Sequence, residues 1–99
     1  MDKLATPVLI SKESVAGLRF PAEAISRSRE EQKILMDKLK DATTLGNIEH
    51  NKCRIIFSDD EGLKMVETTI WATGEKNIVL KHGMTIPIHR IVDVNIYAG

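Results

Sequence analysis

Residues 63–73 read LKMVETTIWAT, and the reading of this run decides the fold. β-branched and aromatic residues crowd it, so it is a strand, yet its eleven residues exceed the ordinary strand length of about five or six. A strand of that length that bends to serve two sheets is what a small barrel needs. On its N-terminal side, KCRIIFS at 52–58 alternates Cys53, Ile55 and Phe57 against Arg54, Ile56 and Ser58. Between the two runs, Asp59-Asp60-Glu61-Gly62 has the composition of a solvated turn with its glycine at the tail. On the C-terminal side, Gly74-Glu75-Lys76 turns the chain into a strand at 77–81, and His82-Gly83 is a tight hairpin connection to a strand at 84–88. Pro87 lacks an N–H and belongs at a strand end or an edge. Ile88-His89-Arg90 reads as a single tight turn ahead of 91–97, where Val92, Val94 and Ile96 alternate with Asp93 and Asn95. The second half of the chain is therefore expected to hold five strands with short connections.

Upstream, the apolar period changes. Ser28 and Glu31 have the spacing of a capping box, with Glu30 and Glu31 at the positive end of a helix dipole. Leu35, Leu39 and Ala42 recur at intervals of four and three, flanked by Ile34 and Met36, and Gly46-Asn47 suits a left-handed helix end. These signals predict a helix over 28–45. Lys33, Asp37, Lys40 and Asp41 make its other face a solvated one of alternating sign, with Lys33 and Asp37 one turn apart.

Residues 1–25 follow neither period and read as an extended or partly disordered arm. Leu4, Val8, Leu9, Ile10, Val15, Leu18, Phe20 and Ile25 are too many apolar groups for a solvated tail, so the arm is expected to dock on the barrel, the helix or another subunit.

With 99 residues the chain fits one domain, 1–99, whose modest core removes only about 60–65% of the unfolded surface from water. Lys plus Arg equals Asp plus Glu at 14 each, eight against eight up to His50 and six against six after it. That balance excludes a global field that recruits nucleic acid or an anionic membrane. The single cysteine, Cys53, has no internal disulfide partner, and the run Pro7-Val8-Leu9-Ile10 is too short for a secretory signal, so a cytoplasmic location is expected. No apolar stretch approaches the roughly 20 residues of a membrane span.

Five short strands, a long bent second strand and a one-turn corner before the last strand resemble the SH3-like and Sm-like small barrels, with the helix lying across the open end. Gly74-Glu75-Lys76-Asn77-Ile78-Val79-Leu80 looks like the first Sm motif of RNA-binding Sm-like proteins, a loop leading to an asparagine, an apolar residue and a leucine. In that family the asparagine contacts a uracil-type base, so the resemblance assigns this contact to Asn77. The family's aspartate four residues earlier is Thr73 here, and its Arg-Gly motif near the last strands is replaced by Ile86-Pro87-Ile88. The segments VETTIWA and IPIHRI are also similar to a family of small bacterial proteins, a likeness that implies no activity.

Chemistry-bearing residues do not converge along the chain. His50, Cys53, His82 and His89 are potential zinc ligands, but only His50 and Cys53 are close in sequence, and Cys53 shares its face with Ile55 and Phe57. A separation of three puts Cys53 and His50 on opposite faces of an extended strand, which argues against a nucleophile and base. No spacing completes a calcium loop around Asp59-Asp60-Glu61. The expectation is a non-enzymatic binding or regulatory module without cofactor, metal or small-molecule substrate, acting by association with a protein partner or with its own copies through open strand edges. The second reading is single-stranded RNA binding through Asn77, Lys76, Arg90 and His89, with Trp71 or Tyr97 as a stacking face. Trp71, in the longest strand, is expected in the core or in an oligomer contact.

Overall fold

The structure, a computed structural model, describes residues 6–97. Leu4 of the arm lies outside the described residues. Among the described residues the fold is mixed α and β, mostly sheet, with one α-helix and seven strands in two sheets. In order these are β1 (Val8–Leu9), α1 (Arg29–Glu49), β2 (Lys52–Ser58), β3 (Leu63–Thr68), β4 (Ile70–Thr73), β5 (Asn77–Leu80), β6 (Thr85–Pro87) and β7 (Ile91–Tyr97). One sheet has the order β1-β3-β2-β7 and the other β4-β5-β6.

Five strands were expected, and two additions make seven. The run 63–73 does pass from one sheet to the other, but it breaks at Thr69, so that β3 pairs with β2 and β4 pairs with β5. The other addition is β1, which pairs with β3 in parallel at Val8↔Lys64 and Leu9↔Met65. The sheets share no hydrogen-bonded strand pair, so the described residues form no closed barrel. Instead α1 packs against both β4 and β7, one from each sheet.

The alternation in β2 works as read. Cys53, Ile55 and Phe57 face inward and are buried, joined from β3 by Val66 and from β7 by Val94. Each fully buried aliphatic or aromatic side chain here stabilises the fold by roughly 1.5–3 kcal/mol.

The helix begins where its capping box places it. Ser28 Oγ accepts from the Glu31 N–H at 3.1 Å, and Glu31 Oε1 accepts from the Ser28 N–H at 2.8 Å. Hydrogen bonding of the Glu31 carboxyl to the Ser28 N–H, and then to the Ser28 side chain, holds it below the usual range. Leu35, Leu39 and Ala42 form the buried face, and Lys33 and Asp37 pair at 3.0 Å. The expected end at 45 is corrected: the helix runs to Glu49 and closes on His50, which takes the left-handed conformation at φ 58°. Gly46 is needed inside the helix, because a Cβ there would stand 2.7 Å from Thr69 Cγ2 and 3.0 Å from the Ile70 carbonyl oxygen. The helix thus crosses close to the chain at the break between β3 and β4.

The arm is ordered along the described residues. Ile10 N–H donates to the Met65 carbonyl at 2.9 Å, and a short 3-10 turn at Lys12–Gly17 buries Val15. Leu18 and Phe20 pack on the core, Phe20 with its ring 5.8 Å from that of Phe57. Of the docking sites open to the arm, it takes the sheets of its own chain.

The Asp59–Gly62 turn is solvated at Asp60, Glu61 and Gly62 as expected, but Asp59 is buried. The Asp59 side chain is 1% exposed and accepts from the N–H groups of Glu61 (2.8 Å) and Gly62 (3.1 Å) and from Lys64 Nζ (2.5 Å). Burial alone would raise this carboxyl, but the bonds from Lys64, Glu61 and Gly62 outweigh it and hold Asp59 below its ordinary value.

Each sheet edge is blunted. At β7 the Val94 N–H donates to Asp93 Oδ1 at 2.8 Å, and the same oxygen accepts from Lys38 of α1 at 3.0 Å. At β4 the Trp71 carbonyl is taken by the Asn47 amide of α1 at 3.2 Å. The β6 edge carries Pro87, and β1 is two residues long. Short edges, charged caps and proline are the features that deter strand addition.

Candidate nucleic-acid or peptide interface

At the end of the molecule where the arm enters α1, a cleft of about 670 Å³ opens between residues 24–32 and the 75–77 loop. Its walls come from three places. The arm and helix start supply Ala24, Ile25, Arg27, Ser28, Arg29 and Gln32; the loop into β5 supplies Glu75, Lys76 and Asn77; and the corner after β6 supplies Pro87, Ile88 and His89.

Local hydrogen bonds fix the loop. The Gly74 N–H donates to the Asn77 carbonyl at 2.9 Å, and the Lys76 carbonyl accepts from the Ile88 N–H at 2.8 Å, tying loop to corner. Asn77 pairs with Pro87 in the β5–β6 ladder. The side chains of Lys76, Asn77 and Arg29 are exposed, and none of the three makes a side-chain hydrogen bond or ion pair among the described residues.

The corner at Ile88–Arg90 is the one-turn 3-10 segment expected, and it is tied to the arm. His89 Nε2, necessarily the donor to a carbonyl, bonds the Pro21 oxygen at 2.9 Å, while the His89 carbonyl accepts from the Ile25 N–H at 2.9 Å. Arg90 donates to the Ser58 carbonyl (3.0 Å), to Ser58 Oγ (3.1 Å) and to the Glu23 carbonyl (2.7 Å). Arg27 does the same work from the other side, donating to the carbonyls of Ile88 (3.0 Å) and Ile91 and to Gln32 Oε1 (2.9 Å). Burial lowers the Arg27 guanidinium from its ordinary value, with the nearby Glu31 carboxylate opposing.

Of the four expected nucleic-acid contacts, the fold brings Asn77, Lys76 and His89 to one cleft, and Arg90 does not line it. His89 lines it while its ring bonds Pro21. Sequence reading missed Arg27 and Arg29, whose position depends on how the arm folds back, although Arg29 directly follows the Ser28 cap.

The remaining candidates stand elsewhere. Cys53 is buried with its thiol toward the Thr68 carbonyl at 3.4 Å, and burial pushes that thiol up to about 12. No group of three His, Cys, Asp or Glu side chains able to hold a metal ion occurs among the described residues. No helix among them is long and apolar enough to cross a membrane. Trp71 is outside the core, 46% exposed, where the β4–β5 register shifts between Ile70 and Ala72. Its ring lies 6.3 Å from that of His82, which with Gly83 takes positive φ in the tight connection after β5. Tyr97 sits under Arg54, the guanidinium 5.2 Å from the ring centroid. The Phe, Tyr and Trp rings therefore all stand outside the cleft, which holds only the imidazole of His89, bonded to the Pro21 carbonyl. Comparison with protein-family models, with curated proteins and with solved structures finds no match for this chain.

Proposed function

We propose that this protein is a non-enzymatic binding module that works by protein–protein association, with the cleft between the helix start and the 75–77 loop as its working surface. One observation carries the reading: the cleft has apolar walls at Ile25, Pro87 and Ile88 and exposed polar groups at Arg29, Lys76 and Asn77, but no Phe, Tyr or Trp ring, and the imidazole of His89 is tied to the Pro21 carbonyl. Proteins that hold single-stranded nucleic acid draw about 1–3 kcal/mol per base from aromatic stacking, which this surface does not offer. An apolar floor with a few exposed polar groups suits the side chains of a polypeptide. The blunted edges support a partner that docks by side chains over a second copy that adds a strand. The strand that passes between sheets at Thr69 and the single-turn corner before β7 support reading the sheets as an opened SH3-like or Sm-like barrel. A buried, unpaired Cys53 fits a reducing, cytoplasmic setting.

RNA binding remains the second reading because Asn77 shares the cleft with two cations that have no ion-pair partner among the described residues, Lys76 and Arg29. Retention on uridine-rich single-stranded RNA at physiological salt separates the two. Association with protein predicts no retention; micromolar binding that weakens in Asn77→Ala would replace this proposal with the RNA one.

A further inference from the structure

We infer that the occupant of this cleft is an extended, acidic segment of a partner protein, with carboxylates set between Arg29 and Lys76 and apolar side chains on Ile25, Pro87 and Ile88; this rests on the protein-binding reading above. Charge complementarity is the first support. In a chain of zero net charge, the cleft gathers Arg27, Arg29 and Lys76 against a single carboxylate, Glu75. Lys33, Lys38, Arg54 and Lys64 are matched within the fold, by Asp37, Asp93, Glu67 and Asp59, whereas the exposed Arg19, Lys40, Lys52 and Lys81 lie singly, outside this cleft. Arg29 and Lys76 also have no ion pair among the described residues, and the two line one cleft together, Arg29 from the helix start and Lys76 from the loop into β5.

The backbone supplies the second support. Pro87 has no N–H, and the Ile88 N–H is already given to Lys76, so this border of β6 offers an incoming chain no ladder of donors. Recognition must then come from side chains, which is where the unmatched cations and apolar floor act. Glu75 on the same wall opposes a polyanion that carries a charge at every unit, whereas a peptide can place its acids away from it.

The test is selection of random twelve-residue peptides on the full chain, followed by fluorescence anisotropy of the labelled consensus peptide with the wild type, Arg29→Ala, Lys76→Ala and Lys81→Ala. Lys81 is exposed and lies outside the cleft, so it controls for loss of charge alone. The expected result is a consensus rich in Asp and Glu, binding that weakens as salt rises, and a loss of about twofold to fivefold for each cleft cation, the range of an exposed charge pair. Lys81→Ala should bind as the wild type does. An acidic consensus indifferent to Arg29→Ala and Lys76→Ala would overturn the inference. So would an uncharged consensus, although if it shifts the NMR signals of Lys76 and Asn77 the protein-binding reading survives. Recovery of no peptide overturns the inference, and with uridine-rich RNA binding it overturns the reading beneath it as well.

Discussion

Arg90 and Lys76 are cations at two joined bends of the same small protein, and their circumstances differ completely. The corner at Ile88–Arg90 faces the arm, where the carbonyls of Pro21, Glu23 and Ser58 lie within reach, so His89 and Arg90 become structural donors. The 74–77 loop faces the cleft, where only its backbone is engaged, and its Lys76 and Asn77 side chains stay exposed. The lesson concerns backbone accounting. A segment that docks without completing a sheet leaves carbonyls that need donors, and side chains nearby with fork-like N–H groups are drawn into that duty. Those left outside its reach remain available to a partner.

The contrast is sharpest in stability. Arg90→Ala removes three charge-assisted bonds and leaves the Glu23 and Ser58 carbonyls seeking water. The expected loss is about 2–3 kcal/mol in urea unfolding, with faster hydrogen exchange at the Ile25 and Asp60 N–H groups that tie the arm. A change below about 0.5 kcal/mol would erase the distinction between corner and loop.

Asp59→Asn comes next, because Asp59 adjoins the Ser58 carbonyl on which Arg90 bonds, and it organises the turn that receives the arm. The expected loss near neutral pH is about 1–2 kcal/mol. The sign of the pH dependence follows from the lowered carboxyl. Its contribution is present above the unfolded value, about 3.9, and is lost as pH falls from there through the folded value. Wild-type stability should therefore decline below about pH 4 more steeply than that of Asp59→Asn, whose curve is flatter in that window. Parallel acid limbs in the two proteins would refute the role of Asp59.

The smallest effect belongs to the loop. Lys76→Ala should shift stability by less than about 0.5 kcal/mol, as removal of an exposed side chain without a partner does. Loss of more than 1 kcal/mol in the same unfolding measurement would mean that the loop, like the corner, serves the fold.

Much of the fold was legible because its signals are local. Ser28 and Glu31 lie three residues apart and set the helix start, Cys53-Ile55-Phe57 mark the inner face of β2, and the bend at 88–90 follows Pro87 at once. The helix end was misread because Gly46 looks like a terminator in isolation, whereas it answers to the close approach of Thr69 and Ile70. The docking site of the arm and the burial of Asp59 were not legible, for a similar cause. His89 reaches Pro21 across 68 positions and Arg90 reaches Glu23 across 67, and neither periodicity nor turn composition carries information over such a span. Three of the expected contact residues do line one cleft, but the division of labour within them was invisible.

By itself the sequence determined where helix and strands form and which faces of α1 and β2 turn inward, because those depend on residue order within a few positions and on the 3.6 and 2 residue periods. On β7, by contrast, the expected alternation of Val92, Val94 and Ile96 gives way to burial of Ile91 and Val94 with Val92 and Ile96 exposed. Only the tertiary structure decided that the long run breaks at Thr69 into two sheets, that the arm closes over them, and which cations are left for a partner. Those outcomes depend on which backbone groups, distant in the chain, come to need a donor once the segments are packed together.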